Sequence, residues 1–192
     1  MNPQKNICIY CASSSDIDRR YFDEATRLAK LIAGKGMGIV CGAGNQGLMG
    51  AVADAALQAG GHVTGVIPQF MADKGWGHAS LTKTIVTPDI HQRKQRMAQL
   101  SDAAIALPGG CGTMEELLEI ITWKQLGLFS GKIIILNTAG FYTPLLEMLN
   151  RAVDEHFMKA SHRHLWHEAA NAEEAVSLLT SDAYEQPVEP KR

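Results

Sequence analysis

The stretch that decides the fold is Ala103-Ala104-Ile105-Ala106-Leu107-Pro108-Gly109-Gly110-Cys111-Gly112-Thr113-Met114-Glu115-Glu116. Its first five residues are apolar without alternation, as a strand covered on both faces requires. A glycine turn follows, and then a helical pattern over residues 113–126. Working outward, the same unit recurs. Residues 7–12, 38–41, 63–67, 83–87 and 133–137 read as strands, with a last one near Leu165. Residues 20–33, 48–59, 90–100, 142–157 and 171–179 read as helices, and residues 69–81 as a surface loop. Strands separated by helix-length crossovers form a mainly parallel sheet with helices on both sides. The expectation is one α/β, doubly wound domain over residues 1–183, with a flexible tail over 184–192. In such a fold ligands bind outside the carboxyl ends of the strands. That rule selects the loops after Ala12, Cys41, Ile67, Thr87 and Leu107.

Composition narrows the function classes. The chain has 192 residues, 46% hydrophobic and 20% charged, with 18 Lys plus Arg against 20 Asp plus Glu. A net charge of -2 speaks against nucleic acid and against a polybasic membrane surface. No apolar run approaches the ~20 residues of a membrane helix. The first residues show no secretory signal pattern, so the expected location is cytoplasmic. Cys8 and Cys11 have C-x-x-C spacing but lie in a strand, on opposite faces, and read as buried free thiols. His162, His164 and His167 read as surface histidines, and no metal ligand set is expected.

Three loops carry chemistry. In 108–116 three glycines in four positions bare the backbone just before a helix N-terminus. Unpaired N–H groups and the positive dipole end there make a phosphate cradle. It is no Walker loop, because the Gly-Lys-Ser/Thr ending is missing. Thr113 and Glu116 also have capping-box spacing, which offers a purely structural reading of both.

The second loop, Gly42-Ala43-Gly44-Asn45-Gln46-Gly47, is a formal G-x-G-x-x-G. It follows the second strand, and no acidic residue ends the next strand to hold a ribose hydroxyl, which disfavours NAD. Either it faces a nucleotide or its glycines let the next helix pack closely on the sheet.

The third feature is the cluster Arg93, Lys94 and Arg96 near the start of a helix, where cations oppose the dipole. A local rule broken at a ligand edge suggests function, and a solvated charged face is the alternative. Ser13, Ser14 and Ser15 follow the first strand at the same edge. No G-x-S-x-G supports a serine hydrolase.

Taken together, these motifs resemble the LOG ("Lonely guy") family of cytokinin riboside 5′-monophosphate phosphoribohydrolases, often mislabelled lysine decarboxylases. The marker P-G-G-x-G-T-x-x-E is matched over residues 108–116, and R-K-x-x-M at Arg93, Lys94 and Met97. G-G-G-x-x-G-L-M-G is matched over 42–50 with Ala43 as the one change, and C-x-S-S-S over 11–15.

The resemblance implies a Rossmann-like fold, a homodimer, and hydrolysis of the N-glycosidic bond of a nucleoside 5′-monophosphate without metal or organic cofactor. It implies catalytic roles for Arg93 and Glu116. It also implies nucleotide contacts from Lys94, Gly110, Cys111, Gly112, Thr113, Met114, Glu115 and Thr122. A non-catalytic carrier of a nucleotide-like cofactor is the alternative on the same fold. Plant-like members carry an acidic residue before R-K, where residues 69–87 here offer only Asp73, so the preferred base stays open. Lysine decarboxylation would need pyridoxal phosphate on a Schiff-base lysine, and no lysine has a supporting context.

Overall fold

The computed structural model describes residues 5–181. Seven strands form one all-parallel sheet in the order β4-β3-β2-β1-β5-β6-β7. They are β1 (Asn6–Tyr10), β2 (Gly38–Cys41), β3 (Val63–Pro68), β4 (Lys83–Thr87), β5 (Ala103–Ala106), β6 (Lys132–Leu136) and β7 (His167–Ala169). The helices are α1 (Arg19–Gly34), α2 (Gly47–Gln58), α3 (Gln69–Ala72), α4 (Ile90–Gln99), α5 (Cys111–Gln125), α6 (Thr143–Asp154) and α7 (Ala172–Thr180). The chain winds outward from β1 to β4, then crosses back to β5 on the other side of β1. The strand order therefore reverses between β1 and β5, where a crevice opens at the carboxyl ends.

The period-2 rule sorts the core into two layers. Ile7, Ile9, Ile39, Ile105 and Ile134 face α1, α2 and α7, while Cys8, Tyr10, Val40, Ala104 and Ile133 face α4, α5 and α6. Cys8 and Cys11 fall in opposite layers, as their spacing predicts, and both are free and buried. Burial pushes the Cys8 thiol up to about 12. In α1 the buried positions are Ala25, Leu28, Ala29 and Ile32, one stripe at helical spacing. Asp18 caps that helix by accepting from the Arg20 N–H at 2.9 Å.

Several expectations are corrected. The last strand, expected near Leu165, is β7, which begins two residues on, and Leu165 itself is a fully buried core side chain after a 3₁₀ turn. Its apolarity marks core, which a strand is not needed to supply. The helix expected over 142–157 ends at Asp154, where His156 takes a positive φ and turns the chain. Residues 69–81 are not a plain loop: they begin with α3, and Gly77 forms an antiparallel bridge to Gly44. His162 is buried rather than at the surface. The spacing on α5 predicts a core face of Met114, Leu117, Leu118 and Ile121, whereas the buried apolar residues are Leu117, Ile120 and Ile121, and Leu118 points outward, 41% exposed. The tail expected at 184–192 lies outside the described residues. Among the described residues no helix is long and apolar enough to cross a membrane.

Candidate active site

The cradle forms where β5 delivers the chain to α5. The N-cap is Gly110, with no side-chain cap, and the first intrahelical bond runs from the Met114 N–H to the Gly110 carbonyl at 3.0 Å. The N–H groups of Cys111, Gly112 and Thr113 therefore have no acceptor within the helix. The capping-box reading of Thr113 and Glu116 is overturned, because the helix starts two residues before Thr113. Thr113 is buried instead, lying so close to Gly109 that a Cβ there would sit 2.6 Å from its own. Beyond Gly110 and Gly112 the space is open.

Freed from capping, Glu116 meets Arg93. The Arg93 Nη1 donates to Glu116 Oε1 at 2.9 Å, and Arg93 Nε donates to the Val66 carbonyl at 3.3 Å. The two side chains are only 12% and 11% exposed. Asp89 starts α4 by accepting from the Gln92 N–H at 2.8 Å, which directs Arg93 across the sheet edge. The guanidinium lies directly over Gly42, so that a Cβ on Gly42 would collide with Nη2 and sit 3.0 Å from Cζ. Burial raises the Glu116 pKa above the ordinary carboxylate range, and the Arg93 guanidinium draws it only partly back.

Five loops converge on one cleft of about 650 Å³, a volume typical of small-molecule sites. After β1 come Cys11, Ala12 and Ser13, and after β2 come Gly42, Gly44, Asn45, Gln46 and Met49. Beyond β3 lie Met71 and Trp76, and from α4 come Ile90 and Arg93. The cradle adds Gly110, Cys111, Gly112, Thr113 and Glu116.

Of the nucleotide-contact positions expected from the sequence, Lys94, Met114, Glu115 and Thr122 do not line this cleft. Lys94 is buried and paired with Glu115, and with Glu119 at 3.1 Å, so it ties α4 to α5. Burial alone would lower its pKa, but the hydrogen bonds it donates to the two glutamates prevail and hold it above the ordinary lysine value. Thr122 donates its hydroxyl to the Leu118 carbonyl at 2.8 Å. Met114, partly buried, packs from α5 against the core layer.

Met71 and Trp76 escaped the sequence reading. Nothing periodic marks residues 69–81, and only the Gly44–Gly77 bridge reveals that the segment borders the site. Among the described residues no group of three His, Cys, Asp or Glu side chains is placed to hold a metal.

A family model described as "Possible lysine decarboxylase" matches residues 49–179. Two cytokinin riboside 5′-monophosphate phosphoribohydrolases of Arabidopsis thaliana are similar along most of the chain. One is 45% identical over 91% of this chain and 77% of its own length, the other 41% identical over 91% and 82%. Among solved structures, the molybdenum cofactor carrier protein of Chlamydomonas reinhardtii superposes with a TM-score of 0.69 at 20% identity, covering 93% of this chain and 96% of that one. A molybdenum cofactor binding protein from Rippkaea orientalis gives 0.69 at 20% identity, covering 93% and 95%. At that identity the likeness establishes the Rossmann-like fold alone. The match to the family model over residues 49–179 and the 45% identity to a plant enzyme over 91% of this chain mean that this chain belongs to the LOG family.

Proposed function

We propose that the protein hydrolyses the N-glycosidic bond of an adenine nucleoside 5′-monophosphate, either AMP or an N6-substituted cytokinin nucleotide, to the free base and ribose 5-phosphate. The observation that carries this reading is the buried Arg93–Glu116 pair in the same cleft as the open N-terminus of α5. The 5′-phosphate takes the N–H groups of Cys111, Gly112 and Thr113, where the helix dipole favours an anion. Glu116 lies one turn further along α5 and faces the ribose. As the bond between the ribose and the base breaks, the electron pair leaves with the base and positive charge grows on the ribose. The Glu116 carboxylate stabilises that charge and accepts a proton from the attacking water, whose oxygen bonds to the anomeric carbon. The released base takes up a proton. Arg93 stays protonated throughout and holds Glu116 ionised and in place, while its remaining N–H groups are available to the substrate.

The catalytic set is thus Arg93 and Glu116, and the binding set is Gly110, Cys111, Gly112 and Thr113. Lys94 and Glu115 support the α4–α5 frame, and Thr122 bonds only within α5. The enzyme works as a homodimer, joined through the outer face of α5 and the turn after it. Leu118, Leu126 and Leu128 are 41%, 47% and 71% exposed there, apolar surface that a two-fold contact covers. Light scattering at micromolar concentration checks this, and a monomer mass with full activity would overturn it.

Incubation with nucleotides and chromatography of the products tests the reaction. Adenine or an N6-substituted adenine is released from the monophosphate and far less from the nucleoside. Equal rates on both would remove the phosphate role of the cradle. Tight binding without release of base would favour a carrier function.

A further inference from the structure

Tyr142 immediately precedes α6, packs in the core layer of α4, α5 and α6, and does not line the cleft. We propose that it is a positioning residue for the substrate's phosphate: its hydroxyl holds the Leu107 carbonyl turned out of the sheet, and so sets the path by which the chain enters the cradle. The proposal rests on the phosphate role given to the cradle above and names the side chain that keeps the cradle in shape.

The observation is a break in the hydrogen bonding at the end of β5. Along a parallel ladder the N–H and the carbonyl of one residue bond to the same neighbouring strand. The Leu107 N–H keeps that pattern and donates to the Tyr10 carbonyl of β1 at 2.8 Å. The next bond of a regular ladder would run from the Ala12 N–H to the Leu107 carbonyl. It runs instead to the Pro108 carbonyl, at 3.2 Å. Leu107 is 1% exposed, so its carbonyl has lost its strand partner in a place where an unpaired acceptor is costly. The Tyr142 hydroxyl takes the partner's place and donates to it at 2.7 Å. Between β5 and the first turn of α5 the main chain is therefore tied at three carbonyls: Leu107 by Tyr142, Pro108 by Ala12 and Gly110 by Met114. The first of these ties comes from a side chain, and it lies where the chain leaves the ladder.

Tyr142 is itself held from several directions. Its N–H donates to Asn137 Oδ1 at 2.6 Å, and Asn137 Nδ2 donates to Glu168 Oε1 of β7 at 2.7 Å and to Thr143 Oγ1 at 3.1 Å. The Phe141 ring stands edge-on to the Tyr142 ring, with 5.0 Å between centroids. The chain reaches this place through Ala139 at φ 55°, a region that residues other than glycine seldom enter. Such a conformation persists where the surroundings dictate it. Burial first, then the neighbouring Cys11 and Glu116, raise the Tyr142 pKa above the ordinary phenol value, so the hydroxyl keeps the proton that it donates. A connected set of bonds thus runs from β7 through Asn137 and Tyr142 to the entrance of the cradle, the kind of support that holds a binding site in its working geometry.

The test is Tyr142→Phe, which keeps the ring and removes the donor. KM for AMP is expected to rise about tenfold with kcat within about twofold, because a displaced cradle weakens a grip shared by the ground state and the transition state. Calorimetric binding of AMP and of adenosine to Glu116→Gln and to Glu116→Gln/Tyr142→Phe reads the same effect without turnover. Affinity for AMP should fall about tenfold and affinity for adenosine, which has no phosphate, should stay within about twofold. Equal losses on AMP and adenosine, or a fall in kcat with KM unchanged, would make Tyr142 a packing residue and overturn the proposal. Should Tyr142→Phe fail to fold, Asn137→Ala, which removes the acceptor of the Tyr142 N–H, decides by the same comparison, with a loss of about threefold confined to AMP expected. A loss confined to AMP, in a protein whose wild type releases no base, would sustain the positioning role and refute the hydrolase. Hydrolysis by the wild type with AMP binding indifferent to Tyr142 would do the reverse.

Discussion

Two glycine loops border the cleft, and their glycines are there for opposite reasons. In the loop after β2 the bare positions are filled by the protein itself. The Arg93 guanidinium covers Gly42, and a Cβ on Gly47 would lie 2.5 Å from the Ser13 carbonyl carbon and from the Ser14 oxygen. Gly47 also takes φ of 60°, a conformation that side chains rarely adopt. At the entrance to α5, Gly109 packs on Thr113, but Gly110 and Gly112 have nothing within 4 Å. The first loop uses glycine so that parts of the protein can approach one another. The second leaves its backbone open to whatever occupies the cleft. A glycine pattern therefore reports close approach, and only the surroundings tell whether the neighbour is protein or ligand. The two loops meet in the Arg93–Glu116 pair, since Arg93 rests on the first and Glu116 belongs to the helix opened by the second.

The sharpest way to probe that meeting point is Glu116→Gln. The amide keeps an acceptor for Arg93 but cannot carry negative charge, so turnover should fall by about a thousandfold with nucleotide affinity retained. Near-normal turnover would leave Glu116 a structural residue. The wild-type pH profile supplies a second reading of the same group. Because burial raises its pKa, activity should be lost on the acid side at a pH above the usual carboxylate range, as the carboxylate takes up a proton. The residual rate of Glu116→Gln should lack that acid limb.

Gly42→Ala tests the first loop without touching the second. The atom in the way is the end of a flexible side chain, so the protein should fold while Arg93 swings off Glu116. A loss of about thirtyfold in kcat with the melting temperature nearly unchanged is expected, since small misplacements of a positioned group are costly. An unchanged kcat would mean that the seat of Arg93 on Gly42 is immaterial.

Gly47→Ala meets backbone instead of a flexible tip. Strain and overlap should cost about 2–4 kcal/mol of stability, readable as a lowered denaturant midpoint. A variant as stable as wild type would refute the packing account of that glycine.

The smallest effect belongs to the second loop. Gly112→Ala places a methyl in open space on the first turn of α5, where alanine favours the helix by about 0.5–1 kcal/mol. Stability should rise slightly while KM for the nucleotide rises several-fold, because the methyl intrudes on the phosphate. A rise in stability with KM unchanged would move the phosphate away from Gly112.

How much of this was legible in advance differs by residue. The strands at 38–41 and 83–87 coincide with their sequence boundaries, the first because an apolar run stops at Gly42, the second because the β-branched run Thr84 to Thr87 stops at Pro88. Arg93 was visible as a cation at the wrong end of a helix, and Gly110 to Gly112 as a bared helix entrance. The capping-box reading of Glu116 failed because spacing along one helix cannot see that an arginine 23 residues upstream claims the carboxylate. The sequence marks Trp76 only as loop, because its place beside the cleft depends on Gly77 reaching Gly44.

The amino-acid sequence by itself determined the alternation of strand and helix, the two-faced sheet and the loop at which an anion can enter, because these follow from periodicity and from glycine placement within a few residues. Only the tertiary structure decided that Arg93 faces Glu116 while Lys94, one residue on, turns away to Glu115 and Glu119. It alone distinguished the glycines that serve packing from those left open to a ligand. The reason is that these choices depend on which strand ends become neighbours, and the strand order joins β1 to β5 across nearly a hundred residues of chain.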